Sequence, residues 1–133
     1  MDDIAAYFRK GDRLAKHLGI ELLSVEQGSA RARMAIQDQH LNSLGTVHGG
    51  AIFALADFAF AAACNSHGTV AVAINVSISY VQAVTGGTLH ADALETSRNS
   101  RLATYTVRVT DEPGQLVAMF QGMAYRKKDP LPM

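Results

Sequence analysis

Several features that mark special classes of protein are scarce in this sequence. Cysteine occurs once among 133 residues, as Cys64, so no disulfide framework can form and a reducing, cytoplasmic setting is expected. Twelve basic residues balance twelve acidic ones, and this neutrality argues against a nucleic-acid-binding protein, which normally has a clustered basic excess. The first residues are charged from Asp2 onward and contain no apolar core, which predicts no secretory signal.

Long hydrophobic runs are also lacking. The longest, residues 51–64, is shorter than the roughly 18 residues that a membrane-spanning helix needs, and it carries an acid, so no membrane association is expected. The five histidines show no metal-ligand spacing with Cys64, which predicts no metal site. Neither a G-x-S-x-G nucleophile elbow nor a phosphate-binding loop occurs. With 48% apolar residues, the chain is expected to form a single globular domain over residues 1–133.

Periodicity divides this domain into two helical and six extended segments. An N-terminal helix is predicted within residues 1–17, with Gly11 as its expected break, and a very apolar central helix is predicted over residues 49–65. Two strands are predicted in residues 19–36, and an antiparallel meander of four in 70–81, 88–97, 102–111 and 116–127. Segregated strands and a helix that is apolar nearly all round indicate an α+β fold in which the sheet wraps the helix.

The most apolar run contains one acid. Thirteen of the fourteen residues in 51–64 are apolar, and the exception is Asp57. At about 100° per residue, Asp57 shares a narrow stripe of the predicted helix with small residues only. We call this set the small-residue stripe: Gly50, Ala54, Asp57, Ala61 and Cys64. A slender apolar ligand could lie along it.

Asp57 could have a structural or a chemical reason to be there. An unpaired carboxylate in a dry core is costly, so a structural acid would pair with a buried base or a backbone donor. No Lys or Arg lies within four residues, which excludes an ion pair along the helix. A chemical role is the other interpretation, because an apolar cleft tunes the pKa of a general base or nucleophile.

Gly49 and Gly50 open the same helix. The N–H groups of a first helical turn have no internal acceptors, and the helix dipole favours negative charge there. Glycine has no Cβ to keep a ligand oxygen away, so the pair suits an oxyanion hole for acyl transfer. The alternative interpretation is a tight turn that merely needs glycine conformations.

These two features are too far apart to act together within one chain. From Gly49 to Asp57 the helix rises by roughly 12 Å, at about 1.5 Å per residue, which an aspartate side chain cannot span. If both groups serve one reaction, Asp57 must come from a second copy. The sequence therefore predicts a dimer with active sites at its interface.

The segment NSLGTVHGG at residues 42–50, followed by FALAD at 53–57 and NSHG at 65–68, resembles the hotdog-fold acyl-CoA thioesterases. The similarity is to their phenylacetate-degradation branch and extends over residues 15–127. It implies a curved antiparallel sheet wrapped around one long helix. It also implies a homodimer with a continuous sheet, and a homotetramer built as a dimer of dimers.

The resemblance implies catalytic roles for four residues. Asp57 would be the catalytic acid, as nucleophile or as base on water, and the backbone N–H of Gly49 in the partner chain would polarise the thioester carbonyl. His48 and Asn42 would line the same pocket and orient the water or the carbonyl. For each of these two the plainer alternative is a loop residue bonded to the backbone.

The resemblance and the stripe together indicate the substrate contacts. Gly50, Ala54 and Ala61 would bind the acyl group. The CoA phosphates would rest on a turn between two strands, and the contact residues there are Arg98, Asn99, Ser100 and Arg101. A solvated turn is the alternative for this segment, and the basic run 126–128 is a weaker phosphate candidate.

The expected activity is hydrolysis of small aryl or arylacetyl CoA thioesters, with no cofactor, since CoA is part of the substrate. Two departures leave the substrate open: residues 80–84 lack the proline that many relatives have, and Ala73 offers no hydroxyl where some relatives present one. Two alternatives also stay open. One is a hotdog-fold hydratase or dehydratase that pairs His48 with Asp57 across the dimer, and the other is a non-catalytic acyl-CoA-binding protein.

Overall fold

The structure consists of a six-stranded antiparallel sheet, one central helix and two short N-terminal helices, in a computed structural model that describes all 133 residues. Along the chain these are α1 (Asp2–Gly11), α2 (Arg13–Leu18), β1 (Ile20–Glu26), β2 (Ser29–Ala35), a 3₁₀ turn (Asp38–His40), α3 (Gly49–Cys64), β3 (Thr69–Tyr80), β4 (Thr88–Arg98), β5 (Leu102–Thr110) and β6 (Leu116–Pro130). The predicted α+β architecture, with a curved sheet around one long helix, is confirmed.

The N-terminal helical region is broken one residue later than predicted. Gly11 stays in α1, and the break falls at Asp12, whose backbone is extended at φ −85° and ψ 100°. The Asp12 side chain accepts a hydrogen bond from the N–H of Ala15 at 2.9 Å and so caps α2. An N-cap carboxylate satisfies an otherwise unpaired first-turn donor, which explains why the acid rather than the glycine marks the break.

The sheet order is β1-β2-β4-β5-β6-β3, so the predicted four-stranded meander is wrong for its first strand. Only β4, β5 and β6 follow one another as neighbours, while β3 crosses the sheet to pair with β6 at the far edge. The strand that pairs with β2 is β4, with Ala32 opposite Ala91. Both β1 and β3 are therefore edge strands.

Small side chains let α3 lie close to the sheet. The helix packs on β2, β4 and β5, and the strand positions beneath it include four buried alanines: Ala30, Ala32, Ala91 and Ala93. In β6, Gly122 faces Phe60, and a Cβ there would lie 2.7 Å from the ring. A side chain at this position would displace Phe60, because packed interiors have no spare space.

Helix α3 ends at Cys64, one residue before the predicted end, and Asn65 is its C-cap. The Asn65 amide donates to the carbonyls of Ala61 at 2.9 Å and Ala71 at 3.2 Å, and its Oδ1 accepts the N–H of Ala71 at 2.9 Å. One side chain thereby joins the end of α3 to the start of β3. None of the helices has the length and apolar character that crossing a lipid bilayer requires.

Candidate active site

The first turn of α3 has one backbone donor without an acceptor in the chain. His48 is the N-cap, and its Nδ1 accepts the Gly50 N–H at 2.8 Å. The His48 carbonyl accepts the N–H groups of Ala51 at 2.9 Å and Ile52 at 3.2 Å. The N–H of Gly49 makes no hydrogen bond within the chain. Of the two glycines, only Gly49 can therefore offer a donor to a ligand without breaking the cap.

Neither glycine at the helix start is required by its backbone conformation. Positive φ values occur at six other glycines, but not at Gly49 or Gly50, so the turn alternative raised by the sequence is wrong. At both positions a glycine is favoured because a Cβ would crowd a neighbouring side chain. A Cβ on Gly49 would lie 3.1 Å from Cζ of Tyr80, and one on Gly50 would lie 3.0 Å from Nδ1 of His48.

A surface cavity of about 400 Å³ opens beside Gly49. Most of its lining is apolar and includes Val47, Ile52, Val81 and Val84. Tyr80 lies in its wall and donates a hydrogen bond from its hydroxyl to the Gly49 carbonyl at 2.9 Å. The free Gly49 N–H therefore belongs to a residue that lines a mostly apolar surface cavity, and it can donate to a carbonyl oxygen bound there.

Asp57 lies on the one open side of α3. Ten of the sixteen helix residues are buried, and those that retain exposure are Gly49, Gly50, Phe53, Ala54, Asp57 and Ala61. Four of these belong to the small-residue stripe, so the stripe predicted from spacing is the accessible face of the helix. Its fifth member, Cys64, is buried.

The Asp57 carboxylate has no partner in its own chain. It takes part in none of the four ion pairs, and no backbone or side-chain donor bonds it. The structural interpretation, in which Asp57 pairs with a buried base or backbone donor, does not hold within the chain. Desolvation by burial raises the pKa of Asp57, and the negative charge of Asp12 at the α1–α2 break raises it further.

Cys64 offers no second nucleophile on this stripe. Burial, followed by the charge of Asp57, raises the pKa of its thiol to about 12. Its Sγ lies 3.5 Å from the Ala61 carbonyl, to which the thiol donates. The reactive form of cysteine is the thiolate, which this raised pKa disfavours. Cys64 is therefore a packed core residue and not a nucleophile.

Asn42 is committed to the loop that precedes His48. Its Oδ1 accepts the N–H groups of Leu44 at 2.9 Å and Thr46 at 3.2 Å, and its Nδ2 donates to the Thr46 hydroxyl at 3.0 Å. These bonds close a compact turn of the kind that asparagine favours. Whether Asn42 also lines the pocket stays a prediction.

The predicted phosphate turn divides into two parts. Arg98 points to a neighbouring polar cluster, with Nη1 2.6 Å from Nδ1 of His67, and Oδ1 of Asn99 accepts the N–H groups of Arg101 and Leu102. Ser100 and Arg101 instead line a cavity of about 580 Å³, together with the end of β6. We call it the basic cleft: Ser100, Arg101, Tyr125, Arg126, Lys127, Lys128 and Asp129.

The polar cluster contains a second inward-facing acid, which sequence reasoning missed. Glu95 Oε2 lies 2.7 Å from Nε2 of His67 and accepts the Tyr105 hydroxyl at 2.8 Å, while Arg98 Nε lies 3.7 Å from Oε1. Burial by itself raises the pKa of Glu95, but hydrogen bonds from His67 and Tyr105, with the charges of His67 and Arg98, lower it below its usual value. This carboxylate is paired throughout and does not line the cavity beside Gly49.

Comparison with known proteins now decides the family. A family model described as the thioesterase superfamily matches residues 44–118, which is more than half of the chain. The chain belongs to the thioesterase superfamily. The acyl-coenzyme A thioesterase PaaI of Escherichia coli is 36% identical to this thioesterase over 118 residues, covering 88% of the chain and 84% of the relative.

Solved structures agree with the hotdog fold of this thioesterase. The E. coli PaaI protein from the phenylacetic acid degradation operon superposes with a TM-score of 0.92 at 34% identity, covering 96% of this chain and 94% of that one. A mutant of the phenylacetic acid degradation protein PaaI from Thermus thermophilus gives a TM-score of 0.84 at 38% identity, covering 87% and 100%. The thioesterase is therefore a thioester hydrolase with the hotdog fold.

Within one chain of the thioesterase, the predicted site residues form separate groups. His48, Gly49 and Gly50 share the start of α3, whereas Asp57 lies two helical turns away, and residues 98–101 lie at the β4–β5 turn. No three His, Cys, Asp or Glu side chains meet as metal ligands. Sequence reasoning missed two neighbours of the site, Tyr80 and Asp12. The sequence offered only weak signals for them: Tyr80 lies near the end of a predicted strand, and Asp12 lies next to the predicted helix break.

Proposed function

We propose that this thioesterase hydrolyses acyl-CoA thioesters whose acyl group is small and of the aryl or arylacetyl type. The observation that carries the proposal is the free N–H of Gly49 beside an apolar cavity, in a chain whose unpaired Asp57 is half-buried on the same helix. The names of the similar proteins support the substrate class, since one is an acyl-coenzyme A thioesterase and two belong to phenylacetic acid degradation.

The reaction adds water across the thioester. The Gly49 N–H donates to the carbonyl oxygen, where negative charge grows as the carbonyl carbon becomes tetrahedral. Asp57 acts in one of two ways: it attacks the carbonyl carbon to form an anhydride that water then hydrolyses, or it removes a proton from an attacking water. In either case the C–S bond breaks, CoA leaves and takes up a proton as free thiol, and the acyl group leaves as a carboxylic acid.

The two groups come from different copies of the chain. Gly49 and Asp57 of one chain are separated by roughly 12 Å of helix, so a single chain cannot bring both groups to the same thioester. The outer edge of β3 supports pairing between copies, because this twelve-residue edge strand exposes Val72, Ile74 and Val76. An exposed apolar edge strand is a template for adding another strand, here the β3 of a second subunit. Assembly of such dimers into a homotetramer remains a prediction.

His48 and Asn42 support the same site from the loop. Because His48 Nδ1 accepts the Gly50 N–H, a neutral ring carries its proton on Nε2, which can donate to the thioester carbonyl or to the attacking water. Asn42 holds the loop that leads to His48 through its bonds to Leu44 and Thr46.

The basic cleft is the best-supported contact for the CoA phosphates. Arg101, Arg126, Lys127 and Lys128 place four positive side chains around one cavity, whereas Arg98 is held by the Glu95 cluster. Phosphate groups prefer such clustered arginine and lysine donors. The accessible stripe positions Ala54 and Ala61 leave room beside Asp57 for a flat acyl group.

The activity is tested with the purified full-length chain and a panel of acyl-CoA thioesters, in which a thiol reagent detects released CoA. The panel contains phenylacetyl-, benzoyl-, acetyl-, butyryl- and palmitoyl-CoA. We expect kcat/KM to be highest for the two aromatic thioesters. A preference for palmitoyl-CoA would overturn the proposed acyl class, and release from none of the substrates would overturn acyl-CoA hydrolysis.

The role of Gly49 is tested by a matched pair of substitutions. Gly49→Pro and Gly49→Ala both add a Cβ that meets Tyr80, but only proline removes the backbone N–H. Proline is tolerated at the first helical position, and His48 already has the extended conformation that precedes proline, at φ −61° and ψ 133°. We expect the proline variant to lose about 10²-fold more kcat than the alanine variant. Equal losses would remove the Gly49 N–H from the mechanism.

The shared site is tested by mixing two inactive variants, Asp57→Asn and Gly49→Pro. In a mixed dimer, one site combines the intact Asp57 of one chain with the intact Gly49 of the other. Random mixing should therefore restore about a quarter of the wild-type activity. No recovery, with exchange of subunits shown by native mass spectrometry, would overturn the proposal that Gly49 and Asp57 from two chains form one site.

Membership of the thioesterase superfamily favours hydrolysis over the hydratase and the non-catalytic alternatives. The hydration alternative is checked with crotonyl-CoA, whose enoyl absorbance should persist until the thioester is cleaved. Loss of that absorbance without thiol release would favour the hydratase. Binding of CoA thioesters without turnover would favour the binding protein.

A further inference from the structure

Tyr80 connects the edge strand of the sheet to the start of the central helix. It is the last residue of β3, and its hydroxyl donates to the Gly49 carbonyl at 2.9 Å. Three of its atoms lie 3.1–3.4 Å from the point that a Cβ on Gly49 would occupy. Tyr80 thus contacts Gly49 both through a hydrogen bond and through the face left open by the missing side chain.

Tyr80 and His48 hold the same peptide group from its two ends. The peptide that joins Gly49 to Gly50 presents its carbonyl to the Tyr80 hydroxyl and its N–H to Nδ1 of His48. Two glycines in succession are otherwise the most flexible backbone that a chain can have. With both polar groups of this peptide bonded to side chains, its plane is fixed. The Gly49 N–H belongs to the preceding peptide, whose His48 carbonyl accepts the N–H groups of Ala51 and Ile52. With both planes held, the Gly49 backbone torsions between them are fixed as well.

We propose that Tyr80 is a positioning residue for thioester hydrolysis: together with His48 it clamps the Gly49–Gly50 peptide and so aims the Gly49 N–H at the substrate carbonyl. The proposal rests on the proposed role of that N–H. The proposal also accounts for the glycine at position 49, because a Cβ there would crowd the Tyr80 ring and shift it away from this contact, while the backbone conformation itself does not call for glycine. Preorganised donors stabilise a developing oxyanion without reorganising during the reaction.

The first test is Tyr80→Phe, which removes the hydroxyl and keeps the ring as the cavity wall. We expect kcat to fall by about threefold to tenfold, with KM within about twofold of the wild-type value and an unchanged melting temperature. Tyr7→Phe is the matched control, since Tyr7 packs edge-on against Phe8 in α1 and lies outside the site. Wild-type kcat in Tyr80→Phe, or a change in KM alone, would overturn the proposal.

The second test uses the steric contact between the two residues. Gly49→Ala should lower kcat in the wild-type background, because the added methyl pushes Tyr80 away and breaks its hydrogen bond. In a Tyr80→Ala background the methyl has room, so the same substitution should lower kcat no further. Equal losses in both backgrounds would show that position 49 needs glycine for a reason unrelated to Tyr80.

The variants also separate this proposal from the role of Gly49 itself. If Gly49→Pro lowers kcat no more than Gly49→Ala, the proposed oxyanion donor is wrong, and positioning by Tyr80 falls with it. If Gly49→Pro is severely impaired while Tyr80→Phe behaves as wild type, the donor stands and only the positioning role is wrong.

Discussion

Asp57 and Glu95 are two acids held against the same helix and sheet, and their surroundings move their pKa values in opposite directions. Burial raises the pKa of Asp57, and Asp12 adds a like charge instead of a donor. Burial also acts on Glu95, but His67, Tyr105 and Arg98 more than compensate, and its pKa is lowered. Burial alone therefore does not decide the state of a carboxylate; the donors that the fold provides decide it.

This difference distinguishes the proposed catalytic acid, Asp57, from an acid that joins parts of the fold, Glu95. Glu95 joins β4 to β5 through Tyr105 and to the segment after α3 through His67, so its bonds tie together three parts of the chain. Asp57 joins nothing in its own chain, and its oxygens are available to a substrate or to water. A carboxylate kept without donors is suited to chemistry at the expense of stability.

The largest expected effect comes from Asp57→Asn, which removes the charge and keeps the shape. Because asparagine is neither a base nor a useful nucleophile, we expect kcat to fall by about 10²- to 10⁴-fold. The measurement is thiol release from the best substrate of the panel, with circular dichroism to show that the fold is retained. Ala54→Ser, on the same accessible face, is a matched variant that alters the stripe without removing the acid. Near-normal turnover in Asp57→Asn would exclude a catalytic role.

Glu95→Gln should lower the stability of the fold and leave the rate of hydrolysis unchanged. Loss of a carboxylate bonded to His67 and Tyr105 should lower the free energy of unfolding by about 2 kcal/mol. Since the folded-state pKa of Glu95 is lowered, its stabilisation is present above the unfolded value of about 4.3 and is lost as the pH falls through the folded value. Urea unfolding at neutral and at acidic pH measures both effects.

The control for this substitution is Glu26→Gln, which removes the same charge from an exposed position at the end of β1. It should leave stability within about 0.5 kcal/mol of the wild type. Folded Glu95→Gln protein should keep a wild-type kcat. A large loss of kcat in that variant would show that the paired acid also takes part in the reaction.

Asp12→Asn should shift the pH dependence of hydrolysis. The variant keeps an N-cap oxygen for Ala15 but removes the charge that helps to raise the pKa of Asp57. With Asp57 acting as a carboxylate, as proposed above, activity should be lost as the pH falls through its pKa, and a lower pKa should move this acidic limb to lower pH. The profile of kcat/KM measures the shift, with Asp2→Asn as the charge-matched control in α1. If the acidic limb stays at the same pH in Asp12→Asn, its position is set by a group that Asp12 does not influence.

The smallest expected effect is a gain in stability for Asp57→Asn at neutral pH. The folded-state pKa of Asp57 is raised, so the ionised acid destabilises the fold at pH values above that pKa. A neutral side chain removes this cost, and the gain should vanish as the pH approaches the unfolded value of about 3.9. Thermal melts across the pH range test it. A variant that melts below the wild type at neutral pH would contradict the prediction.

Much of the fold could be predicted because its signals are local. The apolar run 51–64 fixes the central helix, the alternation in 30–36 fixes β2, and the spacing of Gly50, Ala54, Asp57 and Ala61 identifies the open face of the helix. The position of β3 could not be predicted in this way. Its pairing with β6 depends on long-range contacts between residues such as Ile78 and Phe120, which no local pattern encodes.

The candidate site shows the same division. His48, Gly49 and Asp57 were found from a motif and from the spacing along one helix. Tyr80 was not, because it reaches Gly49 from thirty-one residues further along the chain, through a strand that the sequence placed in the wrong part of the sheet. Likewise, only the three-dimensional structure shows that Arg98 is held by Glu95, whereas Arg101 faces the basic cleft.

The burial of Cys64 has a practical consequence for the assays that detect released CoA with a thiol reagent. Burial raises the pKa of its thiol to about 12, so the thiolate is scarce at pH 8, and the residue is 3% exposed. A disulfide-exchange reagent such as a dithiobis-nitrobenzoate should therefore leave the folded enzyme unlabelled. The colour that develops then counts CoA alone, and the same reagent added in denaturant gives the enzyme concentration from the single thiol of each chain.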